Sequence, residues 1–231
     1  NAGNGHTCLP RAKLFESTAK FLRVEPQDIE AGLEELLQAG ELRTRSFEET
    51  EYIYLPDLLS AEEDIAARLG ELATFPTAPP KTLESDIRAL EIAQGFAYAP
   101  LQRDAIRTAL SSRVMVLTGG PGTGKTTTVN AILSLYEALY DRVALCAPTG
   151  RAAKRLSELT NHTASTIHRL LEVDYTTGMV RFIHNEKNLL KYDVIILDEM
   201  SMVDVKLFQA LLAAARYHCR IIMVGDADQL P

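Results

Sequence analysis

The chain has 231 residues, 46% of them apolar, with 31 acidic against 24 basic side chains and a net charge of −7. That length and mixture support one large or two modest cores and exclude a disordered polymer, and no apolar run approaches the roughly 18 residues of a membrane-spanning helix. The acidic balance excludes a protein that coats its whole surface with nucleic acid, while leaving room for a local basic strip.

From Pro10 to about Thr74 the pattern is helical with one interruption. Leu14, Phe15, Thr18, Phe21 and Leu22 keep helical spacing, and Ile29, Leu33, Leu36 and Leu37 do so again between Pro26 and Gly40. Leu42-Arg43-Thr44-Arg45 and Tyr52-Ile53-Tyr54-Leu55 flank an acidic tip, Glu48-Glu49-Thr50-Glu51, and predict a β-hairpin. Ser60-Ala-Glu-Glu63 has the form of a capping box and predicts a helix from there to about Ala73. Helices followed by a hairpin suggest a small winged-helix-like domain over residues 1–74. Seven acidic residues lie between Glu25 and Glu51, against Arg43 and Arg45 alone, which favours a scaffold or protein-docking role over DNA binding. Phe75-Pro76-Thr77-Ala78-Pro79-Pro80 reads as a stiff linker, and a helix from Leu83 to about Gln94 completes a connecting segment over 75–94.

Residues 95–231 alternate apolar runs with helical stretches. The runs Val114 to Leu117, Val143 to Ala147, Val194 to Leu197 and Ile221 to Val224 have the character of parallel strands buried on both faces. Helices are expected from about Gly124 to Tyr140, Arg151 to Leu159, Ser165 to Leu171 and Asp204 to Tyr217, and a small hairpin around Thr177-Gly178. The fold class is therefore α/β, a parallel sheet with right-handed crossovers.

The first run leads into Gly119-Gly120-Pro121-Gly122-Thr123-Gly124-Lys125-Thr126, a complete G-x-x-x-x-G-K-[ST] phosphate loop, followed by Thr127. A strand that delivers the chain to a helix N-terminus presents unpaired N–H groups and partial positive charge to phosphate oxygens. Glycines let the backbone curl inward at positive φ. Lys125 reaches the β- and γ-phosphates, and the Thr126 hydroxyl is a ligand for Mg²⁺. The third run ends in Asp198-Glu199, at the strand tip where such an enzyme needs a second Mg²⁺ ligand, Asp198, and a base for the attacking water, Glu199. Gln229, past the fourth run, can hydrogen-bond a γ-phosphate or that water, and the amide of Gln102 could pair with the donor and acceptor of an adenine edge, although taken alone it reads as a surface residue. After the second run, Thr149, Gly150 and Arg151 open a helix that could hold a nucleic-acid phosphate, and the basic strip extends to Lys154 and Arg155.

Gln102, Gly119 to Thr126, Ala147 to Arg155, Thr163 to Leu171, Asp198 to Met202 and Gly225 to Pro231, in that order, resemble the successive motifs of superfamily-one helicases. The resemblance is specifically to the RecD-like family of the 5′-to-3′ branch, which includes the exodeoxyribonuclease V alpha subunits. It spans roughly residues 95 to 231 and implies a RecA-like motor domain using ATP and Mg²⁺. It further implies single-stranded DNA contacts at Thr149, Gly150, Arg151, Thr166 and His168, coupling of γ-phosphate state to movement by Gln229, and partners in a nuclease or repair complex. The family has a second motor domain supplying a transition-state arginine worth roughly 10³ to 10⁵ in rate. A chain starting at Asn1, with Asn1-Ala2 resembling a tag remnant, and stopping at Pro231 is expected to be a piece that binds Mg-ATP but turns it over poorly. Two other readings stand beside the helicase: a protein-remodelling P-loop ATPase, and an adaptor for which nucleotide is only a structural ligand.

Cys8, Cys146 and Cys219 are far apart and lack the paired spacing of a zinc site. With no basic-then-apolar leader, they read as thiols of a reducing cytoplasm.

Overall fold

Two compact units emerge in the computed structural model, which describes residues 5–75, 77–140, 142–174, 181–226 and 229. One takes residues 1–66 with 204–209 and the other 67–203 with 210–231. In the first, β1 (Cys8–Pro10) precedes α1 (Arg11–Leu22) and α2 (Pro26–Gln38), and the hairpin strands β2 (Arg43–Phe47) and β3 (Thr50–Tyr54) follow. β3 is central and antiparallel to both neighbours, with Ile53 opposite Leu9 and Thr44. Leu9, Ile29, Leu33, Ile53 and Ala61 are buried, as are Leu207 and Phe208 of the unit's second segment. Arg11 joins three elements by donating to Glu51 at 2.8 Å and Glu34 at 2.9 Å.

Two local expectations change here. β1, too short to carry a periodic signal, adds a third strand to the hairpin. α3 (Pro56–Thr74) starts ahead of the capping-box serine: Pro56 fits a first turn, whose missing N–H costs nothing there. Leu55 O accepts from the N–H groups of Leu58 and Leu59 at 3.0 and 3.1 Å, so Ser60 falls inside the helix. The division between units also falls within α3, whereas composition points to the proline-rich linker.

The second unit continues with α4 (Leu83–Gln94), α5 (Pro100–Ser111), β4 (Val114–Thr118), α6 (Lys125–Leu139), β5 (Val143–Ala147), α7 (Gly150–Thr160), β6 (Ala164–Thr166) and α8 (Ile167–Leu171). The short pair β7 (Val173–Asp174) and β8 (Arg181–Phe182) comes next, then β9 (Val194–Leu197), α9 (Val205–Ala214) and β10 (Arg220–Gly225). The expected hairpin tip, Thr177-Gly178, lies outside the described residues. The five-stranded sheet has the order β4-β10-β9-β5-β6 and every pair is parallel.

Alternation explains why the runs of β5, β9 and β10 are continuously apolar, whereas β4, expected to be buried on both faces, lies at the sheet edge with Val116 exposed. Met115, Leu145, Ala147, Val194, Ile196, Ile222 and Val224 join one core cluster with residues of α4 to α7. Their neighbours Cys146, Ile195, Leu197, Ile221 and Met223 point to the opposite face and are also buried. Ser165 and Thr166, expected to begin a helix, instead pair with β5 together with Ala164, Leu145 opposite Ala164 and Ala147 opposite Thr166. The helix starts only after Thr166, whose hydroxyl caps it by accepting from Arg169 N–H at 3.1 Å. Cys146 and Cys219 are buried free thiols, and burial pushes both up to about 12. Among the described residues, no helix is long and apolar enough to cross a membrane.

Candidate nucleotide site

Parallel strands bring their C-terminal ends to one edge, and the chemistry lies there. Thr118 and Gly225 are opposite each other in register, and Leu197 is paired with both Met223 and Cys146, so the chain leaves β4, β10, β9 and β5 at one level. The phosphate loop curls between β4 and α6 with Gly122 at φ +74° and Gly124 at φ +85°. At Gly124 two demands coincide, since a Cβ there would also collide with Gln102 Nε2. A Cβ on Gly119 would come within 2.8 Å of Thr123 Oγ1. Thr123 Oγ1 in turn donates to Gly120 O at 2.9 Å, which braces the loop.

Gly120, Pro121, Gly122, Gly124, Lys125 and Thr126 line a cleft of about 530 Å³ together with Asp198, Glu199, Asp226 and Gln229. The Lys125 ammonium donates to Gly119 O and, at 3.0 Å, to Gly120 O. Asp198 follows β9 and its backbone N–H donates to Cys146 O at 2.8 Å, fixing it against β5. Burial pushes its carboxyl above the ordinary carboxylate range. A bond from the Glu199 backbone N–H opposes that shift, the Glu199 charge reinforces it, and the charges of Lys125 and Arg155 oppose it. Glu199 sits at φ +55°, ψ +44°, a left-handed conformation costing roughly 1–2 kcal/mol for a residue with a Cβ. Strain of this kind gathers at functional sites. Gln229 Nε2 donates to Asp226 Oδ2 at 3.0 Å, so the amide is oriented from β10.

Gln102, Gly119, Thr123 and Thr127 do not line the cleft. Gln102 instead bridges two helix starts: its Oε1 accepts from Ala99 N–H at 3.0 Å and its Nε2 donates to Gly124 O at 3.3 Å. Sequence reasoning assigned this amide to a base edge and missed the bracing role, which the Ala99-Pro100 helix start with glutamine at its third position could have signalled.

The donor set suits Mg²⁺. Thr126 and Asp198 both line the cleft and supply hard oxygens, and no cluster of three or more His, Cys, Asp or Glu able to hold a metal exists among the described residues. Mg²⁺ is commonly held by one or two protein oxygens, with waters and substrate phosphates completing its shell.

Farther along the same edge, Thr149 caps α7 by accepting from Ala152 N–H at 3.2 Å, just as Thr166 caps α8. Gly150, Arg151 and His168 are exposed. The His168 ring lies 5.9 Å from that of Phe182 at 54°, a neighbour that the sequence did not single out. The basic strip splits. Lys154 faces solvent beside Glu158, 3.9 Å away, whereas Arg155 lines the nucleotide cleft.

Residues 102–231 match the model of the AAA domain family. Over 236 aligned positions the chain is 37% identical to the ATP-dependent RecD2 DNA helicase of Deinococcus radiodurans, covering 98% of this chain and 32% of that protein. It is 45% identical to the RecBCD enzyme subunit RecD of Mycolicibacterium smegmatis over 152 positions, covering 56% of this chain and 27% of that one. The chain belongs to the AAA domain family and is RecD-like. This RecD-like chain spans about a third of the length of the curated relatives it matches. Its structure also aligns with the crystal structure of Pif1 helicase from Candida albicans at a TM-score of 0.46 and 23% identity, over 59% of this chain and 34% of that one.

Proposed function

We propose that this chain is the Mg-ATP-binding part of a DNA helicase that moves on single-stranded DNA in recombination or repair. The observation that carries the reading is the convergence of Lys125, Thr126, Asp198 and Glu199 on one cleft at the C-terminal edge of the parallel sheet. Loop N–H groups and Lys125 bind the phosphates, while Thr126 and Asp198 hold the cation. Bound there, Mg²⁺ would offset phosphate charge and polarise the γ-phosphoryl group. Glu199, held rigidly by its left-handed backbone, accepts the proton of the attacking water, and Gln229 responds to the γ-phosphate. The adenine-reading role of Gln102 requires its amide to exchange one of its present bonds.

Thr149, Gly150, Arg151, Thr166 and His168 form the proposed DNA track, supported by their placement along the same sheet edge at two helix N-termini. Strand separation belongs to the longer protein, as do its partners in a nuclease or repair complex, and the unit around β1–β3 is proposed to be its winged-helix-like accessory domain.

The test is direct. Fluorescent ATP binding by this chain in the presence of Mg²⁺ should weaken about 10- to 100-fold in Lys125→Ala, the size of a lost charge-assisted contact. Unchanged affinity would remove the reading.

A further inference from the structure

We infer that Arg155 is a second phosphate-binding cation of the nucleotide site, contacting the terminal phosphate of a nucleoside triphosphate and discriminating it from a diphosphate. The inference rests on the nucleotide reading of the cleft and adds a residue that sequence grouped with the DNA strip. It starts from helix phase. At 100° per residue, Ala152, Arg155, Leu156 and Leu159 share one face of α7, and all four line the cleft; Arg151, Lys154 and Glu158 fall on another. The helix therefore separates its basic residues between two surfaces, and Arg155 is turned toward the phosphate loop.

Charge gives it a reason to be there. Asp198, Glu199 and Asp226 would together repel a triphosphate, and Lys125 and Arg155 are the cations among the described lining residues. Arg155 makes no hydrogen bond or ion pair with any described residue, so none of its five donors is committed among them. Lys125, by contrast, is bonded to loop carbonyls. Gln102, which would mark the adenine end of a bound nucleotide, does not line this cleft.

Geometry adds a consequence. α7 begins at the proposed DNA-contact residues Thr149 to Arg151 and one turn later presents Arg155 to the nucleotide, so a single rigid element touches both ligands. Arginine suits the task because its planar fork pairs with two phosphate oxygens at once.

The experiment is titration of this chain with Mg-ATPγS and with Mg-ADP, comparing wild type, Arg155→Ala, Arg155→Lys and Lys154→Ala. Arg155→Ala should weaken ATPγS about tenfold or more and ADP less than about twofold, the signature of a lost charge-assisted bond to one phosphate. Arg155→Lys should recover part of the loss, and Lys154→Ala should match wild type. Equal weakening of both nucleotides, no weakening, or a loss confined to oligothymidylate binding overturns the assignment of Arg155 alone. If wild type binds neither nucleotide, the reading of the cleft fails and Arg155 with it. Arg155 is exposed, so its replacement does not open the core; circular dichroism of each variant verifies this.

Discussion

The two ends of the same five strands are built on opposite principles. At the N-terminal end the charges of Asp193 and Arg220 are satisfied, and of the described residues there only Arg113, just before β4, keeps a buried Nε without a partner. Asp193, just before β9, receives Arg142 at 3.1 and 3.3 Å, with Arg216 at 3.7 Å and His218 at 3.5 Å. Arg220, the first residue of β10 and only 8% exposed, donates to Ser112 O at 2.7 Å, Leu110 O at 3.4 Å and the Tyr140 hydroxyl at 3.2 Å. Its guanidinium also lies 5.8 and 5.7 Å from the ring centres of Tyr136 and Tyr140. At the C-terminal end Asp198 is half-buried against its own charge, Glu199 is in a left-handed conformation and Arg155 has no partner among the described residues. One end holds the sheet together; the other keeps groups ready for a ligand at some cost in stability.

Substitutions at the two ends should therefore move stability and nucleotide affinity separately. The largest stability effect is expected at Arg220. Arg220→Ala strands buried carbonyls and leaves a void, and should lower the free energy of unfolding by about 3 kcal/mol in urea titrations. Nucleotide affinity should be unchanged in the surviving folded protein. A loss below about 1 kcal/mol would show that the N-terminal end is not the stabilising one.

Asp198→Asn should act with the opposite sign. A carboxyl whose proton affinity is raised by folding contributes stability at low pH and loses it as pH rises through the folded value. At pH 7 the amide should therefore raise the melting temperature by about 2–4 °C, while Mg-dependent nucleotide binding is lost. The gain should fade on acidification and vanish below about pH 4, where both states are protonated. A lower melting temperature at pH 7 would contradict the strain assigned to this end. The smallest effect is expected at Asp193, whose partners are partly solvated: Asp193→Ala should cost about 1 kcal/mol at low salt and less as salt screens the cluster.

What could be read from sequence divides along the same line. The phosphate loop and Asp198-Glu199 were legible because their chemistry demands particular residues at particular spacing, and β5, β9 and β10 because burial on both faces leaves a continuous apolar run, whereas β4, equally apolar, leaves Val116 exposed at the sheet edge. β1 and β6 were not, since three-residue strands exist only through their partners, β3 and β5. The start of α3 was misplaced because Ser60-Ala-Glu-Glu63 satisfies a capping pattern that Pro56 had already made unnecessary. The orientation of Arg155 was hidden for another reason. A run of basic residues shows charge, whereas the surface each residue serves depends on helix phase, and the bracing role of Gln102 likewise depends on Gly124, 22 residues away in the chain, coming beside it.

The threonine caps of α7 and α8 carry one more implication. A hydroxyl that accepts from a backbone N–H still has its own hydrogen to offer, so Thr149 and Thr166 can each start a helix and present an outward donor with the same atom. Aspartate would cap either helix as well but would present only lone pairs. At these two junctions, then, serine is an admissible replacement and aspartate is not: the helix would survive the change, and its welcome to an anion would not.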